Sequence, residues 1–429
     1  MSSSIARLEA LMNAPRQMLS LDDALARLVA GSTPYAITQT ESVSTFDALG
    51  RVLAADVLSP LNVPPEDNTS MDGYALRAAD VTTAGTVLTV AQRIPAGHVG
   101  RPLLPGTAAR IFTGGQVPAG ADAVVMQEQC EALAGTVGES LGAVRVNAVP
   151  SSGQWIRRRG EDVAVGDVVL RAGERLTPQS LGLAASVGAA ELTVLRRPRL
   201  AIFSTGDELQ MPGEALRPGA IYNSNRFTLS ALAKAAGCEF IDCGIVRDTL
   251  PATRAALREA AQVADLIVTS GGVSVGEEDH LKPAARAEGE LDDWQIAMKP
   301  GKPLAFGRIA RPDGTAALLI GLPGNPVSSF ITWLLAVNTV LRVLQGMDSR
   351  FPTGLALRAD FDWPRPDKRR EFLRARVNAQ GGLDLFANQS SGVLTSAVWA
   401  DGLIDNPPGH AIARGDTVHF LPMPALVSR

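Results

Sequence analysis

Cysteine and histidine are scarce in this chain, and the scarcity removes several kinds of chemistry. Cys130, Cys238 and Cys243 are the only cysteines among 429 residues and form no CxxC pair. Together with four scattered histidines they give no zinc-ligand spacing, which argues against a structural zinc site, and an odd, sparse cysteine count suits a reducing compartment. A basic excess is also missing. Forty lysines and arginines face 44 aspartates and glutamates, a net charge of −4, which is the wrong balance for a general nucleic-acid binder but leaves room for local basic pockets that take small anions. The start, "MSSSIARLEALMNAPRQMLS", lacks the long apolar run of a secretory signal. The expectation is a cytoplasmic protein with neither a nucleic-acid nor a membrane partner. One long uncharged stretch does exist, between Asp313 and Arg342. Pro323, Gly324, Asn325 and Pro326 interrupt it and leave "VSSFITWLLAVNTVL", shorter than the roughly 20 residues a membrane span needs.

The length allows about three domains, and 46% apolar residues can fill substantial cores. Residues 1–18 read as an N-terminal extension. "LSLDDALARLVA" reads as a helix, with Asp22 and Asp23 at its start and Leu21, Ala24, Leu25 and Leu28 on one face. Residues 57–150 are strand-like, punctuated by Gly and Pro every 8–12 residues, and read as a β-rich domain. The segments 19–56 and 151–190 flank it as a linker domain. From 191 to 348 the pattern changes: "RLAIFS", "EFIDCGIV", "DLIVTS" and "AALLIGL" are buried strands, alternating with helices such as "SNRFTLSALAKAAG", for which Ser224 is the expected N-cap. That alternation predicts a doubly wound α/β domain with a parallel-rich sheet. Residues 349–429 return to short strands and read as a small, barrel-like β domain.

Ligands of an open parallel α/β sheet bind beyond the carboxyl ends of its strands. Four loops fall there: "STGDEL" (204–209), "RD" (247–248), "SGGVSVGEED" (270–279) and "LPGNPVSS" (322–329). In the last, Asn325 is placed to cap the following helix and Pro326 to occupy its first position, where a missing N–H costs nothing. The next N–H groups, of Val327 and Ser328, are then open to an anion, with the Ser328 hydroxyl as a further donor. An ordinary capped helix start has the same pattern. Gly271 and Gly272 let the backbone approach a phosphate or oxyanion, as would a plain turn. Glu208, Asp248 and Asp279 sit at three strand ends, a donor set suited to Mg²⁺ bound through carboxylates and substrate phosphates; each could equally cap a helix. "MKPGKPLAF" sets Lys299 and Lys302 about a Pro-Gly turn, a pair suited to a multiply charged anion if not simply solvated. In the β-rich domain, Asp67, Asn68, Ser70 and Asp72 beside Gly73 form either a binding loop or a side-chain-stabilised turn.

Taken in order, "DNTSMDGYA", "IFTGG…GADAVV", "RRRGED", "STGDEL", "SGGVSVG", "KPGKP", "LPGNPVS", "RREFLR" and "SSGVLTSAVWADGL" resemble the molybdopterin molybdenumtransferases, the bacterial MoeA proteins and the C-terminal domain of gephyrin, from about residue 19 to the end. The resemblance implies insertion of molybdate into adenylylated molybdopterin with release of AMP. It implies a Mg²⁺-dependent homodimer with a site shared between subunits, and a molybdopterin adenylyltransferase and molybdoenzymes as partners. By position it makes Asp72, Thr113, Glu208, Asp248 and Asp279 catalytic and the three last metal-binding, with Asp162 a further sensitive acid. Ser204, Thr205, Gly206, Ser270, Gly271, Gly272, Ser274, Lys299, Lys302, Pro323, Asn325, Pro326 and Ser328 become the binding set. The sequence departs from the family in "TGGQVP" and in its N-terminal segment. Two other functions stay open: adenylylation of molybdopterin by a related domain, and a gephyrin-like scaffold.

Overall fold

The computed structural model describes residues 18–134, 141–273 and 280–427. Ser274 and Asp279 lie outside the described residues. The chain is a multidomain mixed α/β protein built on three six-stranded sheets and several two-stranded ribbons. The central sheet comes from β1 (Arg199–Thr205), β2 (Glu239–Val246), β3 (Leu266–Ser270), β4 (Gly289–Gln295), β5 (Pro303–Ala310) and β6 (Ala316–Leu322). Its spatial order is β2-β1-β3-β6-β5-β4. The first four strands in that order run parallel, as the alternating pattern predicts. The last two are antiparallel additions that the sequence pattern did not reveal. Gly289 and Gly307 permit them: a Cβ on Gly307 would lie 2.1 Å from the Glu290 carbonyl oxygen, and one on Gly289 2.0 Å from that of Arg308.

Strand β1 is buried from Leu200 to Thr205, and its successive residues pack against opposite faces of the sheet. Leu200 and Ile202 pack with the helices α1 (Ser224–Ala235) and α4 (Pro326–Leu344) and with the early helix Leu21–Ser32. Ala201 and Phe203 pack with α2 (Leu250–Val263) and α3 (Leu281–Glu288), numbered here within this domain. The early helix starts where its acidic turn predicts: Ser20 caps it by accepting from the Asp23 N–H, and Leu21, Ala24 and Leu28 are buried while Leu25 is half-buried. The cap of α1 is corrected by one residue. Asn223, not Ser224, is the N-cap, its side chain accepting from the Arg226 N–H, because Ser224 already has helical geometry.

The uncharged stretch folds as strand β6 followed, after Pro323–Asn325, by a 19-residue helix, α4, that runs on through Arg342 to Leu344 and whose middle turn (Trp333–Val337) is π-helical. Pro326 opens the helix, as expected, and Arg342–Leu344 carry it beyond the uncharged run, so contrary to the sequence reading α4 is long and apolar enough to cross a bilayer by length and composition; 78% of its most apolar window is buried inside the protein. What covers it comes from the whole chain. Trp333, Val337 and Leu341 share one core with Leu28, Leu232, Phe372, Leu403 and Leu421.

The β-rich sheet has the order Ala123–Met126, Gly73–Leu76, Thr107–Ile111, Thr86–Ile94, Ala143–Val146, Cys130–Leu133. The C-terminal sheet is centred on Arg370–Val377, and its edge strand is Met298–Lys299, which belongs in sequence to the central domain. Trp333 is 0% exposed. Trp333→Ala is expected to destabilise the protein by about 3–5 kcal/mol, measured as a shift in urea midpoint.

Candidate active site

Parallel pairing brings the strand ends into line: Ser204 lies opposite Ser270, and Ser270 opposite Leu322. The loops that follow therefore open at one edge, where they line a cleft of about 870 Å³. Thr205, Gly206, Glu208, Asp248, Ser270, Gly271, Gly272, Lys299, Lys302, Pro323, Asn325 and Ser328 all line it. All four loops thus contribute to one cavity. Ser204 does not line it; the side chain is fully buried, its Oγ without a hydrogen-bond partner among the described residues. Pro326 also stands behind the wall rather than in it, in the first turn of α4.

Two glycines hold positive φ in these loops, and at Gly271 the backbone also approaches closely. Gly206 has φ +143°, and a Cβ there would sit 2.5 Å from a Glu208 carboxylate oxygen, so the acid folds back over its own loop. Gly271 has φ +94°, with the Thr205 carbonyl oxygen 2.9 Å from where a Cβ would be.

The start of α4 differs from the sequence reading in one respect that matters. Asn325 stands at the N-cap position but makes no side-chain cap bond, and the Val327 N–H donates to the Ser391 carbonyl at 2.9 Å. That donor is consumed by the C-terminal domain and is not open to an anion. Ser328, 4% exposed, remains on the cleft wall. The lysines also separate. Lys299 lies 3.3 Å from Asp367 and 3.5 Å from the fully buried Glu371, so its charge is compensated within the protein. Lys302 is exposed on the cleft and is the lysine of the pair with its charge available to a ligand.

Sequence reasoning missed several lining residues. Asn225, in the first turn of α1, donates one amide hydrogen to Ser270 Oγ at 2.7 Å and another to the Gly324 carbonyl at 2.8 Å. It joins two loops that chemistry alone had paired. Arg369, Gln389, Ser390 and Ser391 close the cleft from the C-terminal domain. Their signal lay in "RREFLR" and "SSGVLTS", which carry resemblance but suggest no chemistry when read alone. Arg369 is held in a two-pronged pair by Asp367, whose carboxyl is pushed well below the usual range, first by Arg369 and despite partial burial.

Asp72 and Thr113 do not line this cleft; they meet each other on the β-rich domain. The Thr113 N–H and hydroxyl both donate to Asp72 Oδ1, at 2.8 and 2.7 Å, and hold its carboxyl below the usual range. Most of the surrounding polar loop is structural. Asp67 accepts from Arg158 and from the Arg159 N–H, and Ser70 is tied to the Trp155 carbonyl. Asp162 is exposed, its N–H donating to the Val63 carbonyl.

The strand-end cleft is lined by glycine loops, the Asn225 and Asn325 amides, Glu208 and Asp248, Lys299, Lys302 and Arg369, the composition of a polar ligand-binding cleft at the edge of an α/β sheet. Three family models cover the chain and agree: the MoeA N-terminal region (domain I and II) over 19–188, a probable molybdopterin binding domain over 201–343, and the MoeA C-terminal region (domain IV) over 356–423. The chain belongs to the MoeA family. It is 41% identical over 372 residues to the molybdopterin molybdenumtransferase of Haemophilus influenzae, covering 86% of this chain and 89% of that one. It is 34% identical to the molybdopterin molybdenumtransferase of Bacillus subtilis, covering 89% and 90%. The crystal structure of the molybdopterin biosynthesis MoeA protein of Pyrococcus horikoshii OT3 matches with a TM-score of 0.79 at 28% identity, over 94% of this chain and 99% of that one.

Two outcomes are expected from these contacts. Asn225→Ala removes two hydrogen bonds and should cost about 1–3 kcal/mol in denaturant unfolding. Asp367 has a lowered carboxyl pKa in the fold, so the stability it contributes is complete above about pH 4 and is lost as pH falls further toward its lowered value. In melting curves taken from pH 7 downward, Asp367→Asn should be less stable than the parent at pH 7 and the difference should shrink in acid.

Proposed function

We propose that this chain is a transferase of molybdenum cofactor biosynthesis that inserts molybdate into adenylylated molybdopterin and releases AMP. The observation that carries the reading is the single cleft in which the four strand-end loops, the Lys299–Lys302 turn and the Gln389–Ser391 loop meet. One substrate bears phosphates and a dithiolene, and the other is a tetrahedral dianion. Lys302 and Ser328 supply a cation and a hydroxyl donor for the dianion. The Gly271 N–H is already donated to the Leu322 carbonyl, which leaves the Gly272 N–H on this glycine turn for the phosphates. Catalysis on this reading is chiefly positioning and charge compensation. Water adds across the phosphoanhydride bond, so AMP leaves and the pterin keeps its own phosphate; molybdate binds the two dithiolene sulfurs in place of one oxygen, which leaves as water with the two thiol protons, and molybdenum keeps its oxidation state.

Mg²⁺ fits the acids present. Among the described residues no three His, Cys, Asp or Glu side chains cluster to hold an ion alone, but Glu208 and Asp248 line one cleft. Two carboxylates with substrate phosphates are the usual Mg²⁺ environment, and the ion would offset charge on the phosphoanhydride. Asp279 is the third acid of this set on family resemblance. The C-terminal contribution to the cleft favours molybdate insertion over adenylylation by an α/β domain alone. A cleft built of loops this closely joined favours an enzyme over a scaffold. Molybdopterin adenylyltransferase and molybdoenzymes would then precede and follow this chain, in the cytoplasm.

The deciding assay is molybdate-dependent release of AMP from adenylylated molybdopterin. AMP released at the same rate without molybdate, or sustained adenylylation from ATP and molybdopterin, would replace the reading. Lys302→Glu reverses a charge within about 4 Å of a bound dianion, worth about 4 kcal/mol in unscreened water-like surroundings, so even with salt screening the molybdate requirement should rise more than about tenfold. Binding of the adenylylated pterin, measured directly, should change less.

Asp72 and Thr113, outside the cleft of their own chain, belong in this reading to the site of a second subunit in a homodimer. Mixing Asp72→Ala with Asp248→Ala chains should then restore activity, since some mixed dimers hold one intact site. Verified subunit exchange without recovery rejects the shared site.

A further inference from the structure

Asp72 is held more tightly than a partly exposed carboxylate requires, and we infer that Arg110 is the residue that positions it for the reaction proposed above, on which this inference rests. The β-rich sheet sets three side chains across adjacent strands: Tyr74 pairs with Arg110, and Arg110 with Arg93. Cross-strand partners project from the same face, so the rings and guanidiniums stack. The Arg110 guanidinium carbon lies 5.2 Å from the Tyr74 ring centre and 4.6 Å from that of Phe112, and Arg93 lies 4.8 Å from Phe112. Stacking fixes the plane of the guanidinium and so aims its donors.

Those donors converge on the peptide that carries Asp72. Arg110 Nη1 donates to the Gly73 carbonyl at 2.9 Å, and Nη2 to Gln127 Oε1 at 2.6 Å. The Gln127 N–H in turn donates to the Asp72 carbonyl at 3.0 Å. Gly73 is the only residue type that fits here, since a Cβ would lie 2.0 Å from the Val125 carbonyl oxygen. The backbone is clamped on both sides of Asp72, and Thr113 pins Oδ1. Among the described residues no donor reaches Oδ2. One carboxylate oxygen is therefore fixed and the other is left with its acceptor capacity unused among the described residues, the arrangement of a group prepared for something outside its own domain. Arg110 makes no contact with the cleft of its own chain. Its part is to hold the Asp72 loop, and a lysine, with one compact ammonium, cannot serve Gly73 and Gln127 in the same planar fork.

The test is a double-mutant cycle on kcat for molybdate-dependent AMP release, with Arg110→Met, Asp72→Ala and the pair. Misplacing a group by about 1 Å costs on the order of 100-fold, so Arg110→Met should lower kcat about 10- to 100-fold in the parent and have no further effect in the Asp72→Ala chain. The molybdate concentration dependence should not move, and Arg110→Lys should recover part of the loss. An unchanged kcat in Arg110→Met overturns the inference, as does the same fold loss in both backgrounds, which would mark a structural role. If Arg110→Met does not fold, the cycle is run with Arg110→Lys and read by the same criteria. The parent chain assayed alongside separates the two failures: an inactive parent removes the proposed function and this inference with it, whereas an active parent with an equally active Arg110→Met removes the inference alone.

Discussion

The cleft depends on a short piece of parallel pairing, Met298–Lys299 against Arg370–Glu371. It sews the turn that carries Lys302 onto the C-terminal sheet. Glu371 is fully buried and would be costly alone; it is satisfied by Lys299, by the Trp363 indole N–H and by the Asn406 amide. The Val327 N–H donates to the Ser391 carbonyl, so the first turn of α4 is tied to the same domain. Gly301 completes the joint: at φ +106°, a Cβ would sit 2.4 Å from Thr332 Oγ1, which puts the Pro-Gly turn in direct contact with α4. Sheet edge, turn, helix start and C-terminal loop then behave as one wall. The shape of the cleft is a property of the joint between domains more than of either domain.

That joint explains which parts of the protein were legible in the sequence. The four parallel strands and their helices follow from local pattern, because buried strands such as β3 and β6 are continuous apolar runs. Strand β4, "GELDDWQ", is acidic and lies at an edge, so it carries no such run and was not read as a strand. Glu208, Asp248, Ser270 and Asn325 could be placed together because a general rule says where parallel strands end. The fate of Lys299 and of the Val327 N–H could not be read that way. Their partners, Asp367, Glu371 and Ser391, lie far along the chain in another sheet, and nothing local announces them. Asn225 was hidden for a different reason: an asparagine at a helix start reads as a cap, and its two long-range hydrogen bonds have no sequence signature.

The separation of Asp72 and Thr113 from the cleft divides the family pattern into two physical groups. One is a lined cavity within the chain. The other is a rigid carboxylate on a different sheet. Local chemistry cannot unite them, since each is complete in its own domain. A reaction that uses both needs a second chain or a large change in domain position, and the proposed homodimer is the simpler arrangement.

The helix Pro326–Leu344 also has a history within each new chain. It is made before the strands Arg370–Val377, Gly402–Asn406 and Thr417–Pro422, whose Phe372, Leu403 and Leu421 help to bury it. Until those strands arrive, a long helix whose one charged residue is Arg342 has part of its apolar surface open to water. This is the period in which a nascent chain is most exposed to self-association and most dependent on holding factors. A polypeptide cut short after the central domain would keep that surface permanently. The segment that builds one wall of the cleft is thus also the one that makes synthesis of this protein a race against aggregation.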